Sequence, residues 1–164
     1  MRSGLKGTAV DFAAKWDYNR VIHMNTNRRL EIMRKTVLLN SEISSVISRM
    51  GHTDMLTVGD CGLPVPEGVQ RIDLALKLGV PRFLEVLDTI LEELCVERII
   101  LAEEVRTASP EMHEAILARF GDKVQVDYVP HEEFKRRTAS SKAVVRTGEC
   151  TPYANVILCS GVTF

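Results

Sequence analysis

The pattern of apolar positions predicts a first helix shortly after residue 40. Asn40 or Ser41 suits its start, because a side-chain oxygen accepts a hydrogen bond from the free N–H groups of the first turn. Gly51 suits its end, because glycine readily adopts the left-handed backbone conformation of a helix terminus. The apolar stripe of this helix consists of Ile43, Val46, Ile47 and Met50.

Three further helices follow along the chain. One is predicted to start near Pro81, one at Ser109–Pro110 with its end at Gly121, and a short one spans residues 130–138. The stripe of the helix after Pro81 consists of Phe83, Val86, Leu87, Ile90, Leu91 and Leu94. The face of the next helix consists of Met112, Ala115, Ile116 and Phe120.

Short apolar or alternating runs between these helices are typical of buried strands. We predict strands at residues 55–58, 98–102, 124–129, 143–145 and 156–158. Strands separated by helices pair in parallel, so the sequence predicts an α/β fold, a three-layer α/β/α sandwich with a mostly parallel sheet. Ligands of such sheets bind beyond the carboxyl ends of the strands, which directs attention to Asp60 and His131.

Composition narrows the class of protein. The chain has 164 residues, of which 45% are apolar and 26% charged, an ordinary balance for one globular domain. A formal net charge of -1 provides no basic field for nucleic acid, and no apolar run approaches the roughly 20 residues of a membrane span. The four cysteines form no C-x-x-C motif, which favours a reducing, cytoplasmic compartment.

Residues 1–32 differ from the rest of the chain. They carry a charge of +3 against -4 for the remainder, and they lack a clear helical or alternating apolar pattern. We therefore expect residues 1–32 to be an extension outside the fold and residues 33–164 to form the functional domain. A partner-binding arm is the alternative interpretation.

Motifs for several common chemistries are absent. The sequence contains no phosphate-binding glycine loop and no G-x-S-x-G nucleophile motif, and the His52–Asp54 spacing is weak evidence for a metal. Polar residues at predicted element ends remain as candidates, although each of them alone is more often structural. These candidates are His52, Asp60, His131, Lys135, Tyr153 and Asn155.

Several ungapped motifs carry a resemblance to a known family. They are L-N-S-E-I-S-S-V-I-S-R-M-G-H-T-D from Leu39, D-C-G-L-P-V-P from Asp60, R-I-D-L-A-L from Arg71, G-V-P-R-F from Gly79, H-E-E-F-K from His131 and R-T-G-E-C-T-P-Y-A-N-V-I-L-C-S-G-V-T-F from Arg146. Over Met33–Phe164 the chain resembles the D-ribose pyranases, which are relatives of the L-fucose mutarotases. The G-H-T-D, D-C-G-L-P and G-V-T-F segments resemble the ribose branch more closely.

The resemblance implies an enzyme, a cofactor-free isomerase that interconverts pyranose and furanose forms of β-D-ribose. It implies that His52 is the proton donor, and that the sugar is bound by Asp60, His131, Lys135, Tyr153, Ala154 and Asn155. It also implies a cytoplasmic homo-oligomer, typically a decamer, that acts in ribose catabolism without metal, nucleic acid or membrane. Two alternatives stay open: a mutarotase for another aldose such as L-fucose, and a non-catalytic ribose-binding accessory protein.

The residue set suits this chemistry. Opening and reclosing a sugar ring moves two protons and breaks no C–H bond, and a histidine with an ordinary pKa near 6.5 exchanges protons at neutral pH. The sequence departs from the family pattern at Cys61, where a small residue is expected, and this thiol adds an oxidisable group near the sugar.

Overall fold

Residues 36–164, which are the residues that the computed structural model describes, form both helices and strands. The expectation that residues 1–32 lie outside the fold falls on residues outside this range. In chain order the elements are α1 (Ser41–Ile47), β1 (Met55–Gly59), β2 (Gln70–Asp73), α2 (Phe83–Leu91), β3 (Val96–Ala102), α3 (Val105–Ala108), α4 (Pro110–Leu117), β4 (Gln125–Val129), α5 (His131–Arg137), a 3₁₀ turn (Thr138–Ser140), β5 (Ser141–Arg146) and β6 (Val156–Ser160).

The six strands form one sheet in the order β2-β5-β1-β6-β3-β4. The pairs β2–β5, β5–β1 and β3–β4 are parallel, whereas β6 runs antiparallel to both β1 and β3. A parallel connection requires a long crossover, and the segment between β5 and β6 contains no helix. The prediction of a mostly parallel sheet is confirmed, with β6 as the exception.

Both faces of the sheet are covered. Successive side chains of a strand point to opposite faces, so Ile99 and Leu101 of β3 join one apolar cluster while Ile100 and Ala102 join the other. Helices α1, α2 and α4 contribute side chains to the first cluster, and Phe134 of α5 contributes to the second. The three-layer arrangement predicted from the sequence is therefore the observed one.

The ends of the first helix match the sequence prediction in part. The Asn40 side chain caps α1 by accepting a 2.9 Å hydrogen bond from the N–H of Ile43, as predicted. Gly51 does not end the helix, because α1 stops at Ile47 and the chain turns before the glycine is reached. The N–H of Gly51 instead donates to the Asp54 carboxylate at 2.9 Å.

Two elements have no counterpart in the prediction. Strand β2 pairs with β5 at the edge of the sheet, and only its Ile72 is buried. The single-turn helix α3 precedes α4, and Val105 is its buried residue. None of the helices within residues 36–164 combines the length and the apolar character that crossing a membrane requires.

Candidate functional site

The carboxyl edge of the sheet brings together residues that are far apart in the sequence. Strands β1, β4 and β5 end at this edge, and antiparallel β6 begins there, as the pairing of Val58 with both Val145 and Val156 shows. The loop after β1 therefore meets the connection between β5 and β6. Asp60, His131 and residues 153–155 lie on these segments.

Asp60 and Asn155 form a reciprocal hydrogen-bonded pair. The N–H of Asp60 donates to Asn155 Oδ1, and Asn155 Nδ2 donates to Asp60 Oδ2, both at 2.8 Å. The other carboxylate oxygen of Asp60 accepts from the N–H of Gly62 at 2.8 Å. Asn155 is buried, so this amide fixes the direction of the more accessible carboxylate.

Tyr153 occupies an uncommon backbone conformation beside this pair. The N–H of Ala154 donates to the carbonyl of Thr151, which closes a turn with Pro152 and Tyr153 at its centre. Tyr153 has a φ of 60°, a left-handed value that a residue with a side chain adopts at some cost. Such conformations persist where the surrounding structure holds them, often at functional sites.

His131 lies against Tyr153 at the start of α5. The ring centroids are 5.0 Å apart with an interplanar angle of 85°, an edge-to-face contact. The backbone N–H of His131 donates to both oxygens of Glu104 at 3.0 Å. Its Nδ1 atom is buried and has no hydrogen-bond partner among residues 36–164, which leaves a polar atom for a ligand to satisfy.

The remaining residues implied by the resemblance occupy different positions. Lys135 lies one turn after His131 on α5, and its ammonium group forms a 2.6 Å ion pair with Glu132. Ala154 is fully buried between Tyr153 and Asn155 and has no polar side-chain atom to offer.

Arg146 and Asp73 support the loop that carries Asp60. Arg146 Nε donates to the carbonyl of Cys61 at 2.9 Å, and its Nη1 lies 3.0 and 3.1 Å from the two oxygens of Asp73. Burial opposes ionisation of Asp73, but hydrogen bonds from Ala75 and Arg146 outweigh it and lower the pKa of this carboxyl group.

Glu149 organises the connection between β5 and β6. Its Oε1 accepts hydrogen bonds from the N–H groups of Cys150 and Thr151 at 3.0 Å and from the Thr151 hydroxyl at 2.8 Å, while Oε2 accepts from the N–H of Phe83 at 3.4 Å. Burial alone would raise the pKa of Glu149, but these hydrogen bonds prevail and lower it.

His52 lies at the opposite edge of the sheet within the protomer. It follows α1 and precedes β1, whereas Asp60 follows β1, so the length of a five-residue strand, about 16 Å, separates the two edges. Its Nε2 lies 2.8 Å from Oε2 of Glu97, and both side chains are accessible to solvent. The structure thus brings together Asp60, His131, Tyr153 and Asn155 but not His52.

Sequence reasoning missed the carboxylates and the guanidinium that support the site. Glu104 lies two residues after the end of β3, and Arg146 ends β5, so both are at the carboxyl edge, which is a signal that the sequence offers. Glu97 gave no such signal, because its partner His52 is distant in the chain.

The arrangement suits a small neutral ligand rich in hydroxyl groups. Carboxylate, amide, phenol and imidazole groups together supply the hydrogen-bond acceptors and donors that hydroxyl groups require. Within residues 36–164 no three His, Cys, Asp or Glu side chains are grouped as metal ligands would be.

Comparison with known proteins connects this chain to a family. The profile of the RbsD / FucU transport protein family matches residues 33–163. The D-ribose pyranases of Enterobacter sp. (strain 638) and Escherichia coli O1:K1 / APEC are 53% and 51% identical to the chain over 139 residues. In both cases the match covers 80% of this chain and 100% of the relative.

Solved structures extend the similarity to the fold. Bacillus subtilis RbsD complexed with D-ribose matches with a TM-score of 0.77 and 44% identity, covering 80% of this chain and 100% of that one. The fucose mutarotase of Streptococcus pneumoniae in complex with L-fucose matches with a TM-score of 0.61 and 24% identity, covering 76% and 94% of the two chains. The second similarity concerns the fold alone.

Proposed function

The chain belongs to the RbsD / FucU family, and from this membership we propose that it is a D-ribose pyranase, an isomerase that interconverts the pyranose and furanose forms of D-ribose. The observation that carries the proposal is the identity of 51–53% to D-ribose pyranases over their whole length. Ribose is favoured over L-fucose as the substrate because the fucose mutarotase is only 24% identical.

The reaction requires proton transfer and positioning. The anomeric hydroxyl loses a proton while the ring oxygen gains one, and the C4 hydroxyl then attacks the aldehyde to close a five-membered ring. General acid–base assistance is typically worth about 10² to 10⁴ in rate. Holding the open chain in a reactive conformation lowers the barrier to reclosure further.

The residues at the carboxyl edge are proposed to bind the sugar. Asp60 accepts from a sugar hydroxyl, because Asn155 and Gly62 already fix the direction of its carboxylate. The unpartnered Nδ1 of His131 and the Tyr153 hydroxyl bind further hydroxyl groups. Lys135 of the same helix, once released from its ion pair with Glu132, extends the set. Ala154 is fully buried, so it would act through its backbone between Tyr153 and Asn155.

His52 is proposed as the general acid that protonates the ring oxygen. His52 lies at the far edge of its own sheet, so it cannot reach the sugar site of its own protomer. It serves as the acid only when assembly places it beside the sugar site of a neighbouring protomer. Glu97 then orients the imidazole by accepting the hydrogen bond from Nε2. Each complete site would consist of His52 from one protomer and Asp60, His131, Tyr153 and Asn155 from another.

Exposed apolar side chains support this assembly. Leu39, Leu76 and Leu78 are 73%, 80% and 80% exposed, and Leu76 and Leu78 lie on the same loop, so they offer apolar surface that an interface between protomers would cover. We propose a homo-oligomer, a decamer by the family resemblance, that works in the cytoplasm in ribose catabolism.

Carbon-13 saturation transfer on D-ribose tests the function. We expect the full chain to accelerate exchange between pyranose and furanose signals, and we expect His52→Ala to reduce the acceleration about 10²- to 10⁴-fold. L-Fucose tested in parallel should show a much smaller acceleration.

His113→Gln is the matched control. His113 lies on α4 and is hydrogen-bonded to the Tyr128 hydroxyl at 2.7 Å, so its substitution should leave ribose exchange close to wild type. Unchanged exchange in His52→Ala would remove His52 from the mechanism. Saturable ribose binding without any acceleration by the wild type would instead indicate an accessory binding protein.

A further inference from the structure

Two free cysteines meet beside the candidate sugar site. Cys61 directly follows Asp60, Cys150 lies on the connection between β5 and β6, and their Sγ atoms are 3.9 Å apart. The proposed ring-opening chemistry uses neither thiol.

The backbone already holds the two segments together. The N–H of Cys61 donates to the carbonyl of Glu149, the neighbour of Cys150, at 2.8 Å. Arg146 fixes the carbonyl of Cys61 from the other side at 2.9 Å. A disulfide bond is about 2.05 Å long, so the sulfur atoms need to approach by about 1.9 Å, a distance within the reach of side-chain rotation.

The two thiols differ in accessibility. Cys150 is exposed and lines an open cleft of about 730 Å³, so small oxidants reach its sulfur from solvent. Cys61 is half-buried, and burial together with the neighbouring Cys150 thiol raises the pKa of the Cys61 thiol. Cys150 is therefore the sulfur that an oxidant meets first.

The other two cysteines lack such a neighbour among residues 36–164. Cys95 is exposed and donates to the carbonyl of Val162 at 3.4 Å. Cys159 is buried in the core on β6. Cys95 thus provides a matched control for thiol exposure without a second thiol.

We propose that Cys61 and Cys150 are a dithiol oxidation site that closes to an intramolecular disulfide when a hydroperoxide oxidises Cys150. The Cys150 thiolate attacks the peroxide, forms a sulfenic acid and releases water or an alcohol. The Cys61 sulfur then attacks the sulfenic sulfur, the S–S bond forms and a second water leaves. Two thiols lose two electrons and two protons in all, and the peroxide O–O bond is reduced.

Closure has a consequence for the site, and this part rests on the proposed function. Drawing Cys61 towards Cys150 moves the residue next to Asp60, whose carboxylate is fixed by Asn155 and Gly62. The disulfide form should therefore exchange ribose several-fold more slowly than the dithiol form, and a dithiol reductant should restore the rate.

Mass spectrometry of the full-length chain after mild hydrogen peroxide treatment tests the disulfide. We expect a loss of two hydrogen masses, a cross-linked peptide pair containing Cys61 and Cys150, and a fall in free thiols from four to two per chain. Cys95→Ser should retain the cross-link, whereas Cys150→Ser and Cys61→Ala should abolish it. A trivalent arsenical, which bridges two adjacent thiols, should bind the reduced wild type and fail to bind either of those two variants.

The outcomes separate the two proposals. Oxidation of Cys150 to a sulfinic acid without the cross-link would overturn the dithiol site, even if the reduced protein isomerises ribose. A cross-link in a protein whose reduced form does not accelerate ribose exchange would overturn the pyranase function and leave the oxidation site in place. A cross-linked protein with an unchanged exchange rate would overturn the effect on the site.

Discussion

Asn155 is the residue on which the geometry of the Asp60 carboxylate depends. Asn155→Ala removes both hydrogen bonds of the pair and leaves the N–H and one carboxylate oxygen of Asp60 without their partner. We expect a loss of about 1–3 kcal/mol in the free energy of unfolding, because unpaired buried polar groups carry that penalty. The apparent affinity for ribose should fall about tenfold or more, since a misdirected carboxylate binds a hydroxyl poorly. Urea unfolding and exchange measured against ribose concentration check the two effects.

Asn40→Ala is the control for this prediction. Asn40 also accepts a backbone hydrogen bond, but it caps α1 rather than holding Asp60. Its loss should destabilise the fold by about 1 kcal/mol while ribose affinity stays at the wild-type value. If both variants lose affinity in proportion to stability, Asn155 has no specific part in the site.

Individual site residues were predictable where position in an element reveals them. Asp60 ends a strand before a proline-rich loop, and His131 follows another strand, so the general rule for parallel sheets selects them. Tyr153 was also a candidate, because it precedes the last strand. Its left-handed backbone and its contact with His131 could not be predicted, because both arise from tertiary packing. The separation of His52 from Asp60 was implicit in the strand predicted at 55–58, because that strand places the two residues at its opposite ends.

The segment between β5 and β6 is the element that assembles the site, and Gly148 lets it approach a neighbouring loop. The N–H of Gly148 donates to the carbonyl of Pro81 at 2.9 Å, and a methyl group at this position would lie 2.5 Å from the backbone N and C of Val80. Gly148→Ala should therefore destabilise the protein by about 1–3 kcal/mol, as forced overpacking does. Thermal or urea unfolding measures this change in the free energy of unfolding.

Gly121→Ala is the control for the effect of replacing a glycine that has no close neighbours. A methyl group at Gly121 would meet nothing within 4 Å, so we expect stability within about 0.5 kcal/mol of wild type. Equal stability of the two variants would show that the 147–149 backbone shifts freely, contrary to the close contact.

The same segment should impose a pH dependence on stability through Glu149. Its pKa is lowered from the ordinary value of 4.5, so the folded state binds fewer protons than the unfolded state as the carboxyl groups titrate. The stabilisation is present above pH 4.5 and is lost as pH falls through the lower folded-state value. Glu149→Gln should flatten the acid limb of a plot of urea midpoint against pH.

Glu67→Gln controls for the loss of one negative charge from an exposed loop residue. We expect it to keep the wild-type acid limb. An acid limb of unchanged steepness in Glu149→Gln would contradict the assignment of Glu149 as the organiser of the segment.

At the scale of elements, apolar periodicity predicted most of the fold but missed the edge strand β2 and the direction of β6. The apolar stripe of α2 and the continuous apolar run of β3 were sufficient to predict these two elements. Strand β2 did not, because an edge strand with one buried residue in four looks like a loop. The direction of β6 was also hidden, since all five of its residues are buried and such a run reads the same in either sense.

At the scale of the whole molecule, the two edges of the sheet carry different functional side chains. The carboxyl edge holds the residues that we propose bind the sugar, and the amino edge of β1 holds an accessible histidine oriented by Glu97. A single protomer that kept both functions at opposite edges would bind ribose without a proton donor. Assembly is therefore a requirement of the proposed mechanism, and exposed Leu76 and Leu78 supply apolar surface for it.

Mixing His52→Ala with Asn155→Ala tests whether sites are shared between protomers. Ribose is kept well below half-saturation, so that the weakened affinity of Asn155→Ala lowers its exchange. His52→Ala keeps a complete sugar-binding edge, and Asn155→Ala keeps a complete histidine edge, so a site built from one of each recovers both functions. Random assembly in equal amounts should restore function at about one quarter of the sites, because each site needs a particular variant on each side. We expect ribose exchange near that fraction of the wild-type rate after co-refolding, and no recovery when the separately assembled variants are mixed without exchange of protomers. If mixed assemblies of wild-type size show no recovery, sites are not shared between protomers. His52 then either acts on the site of its own protomer or takes no part in the reaction.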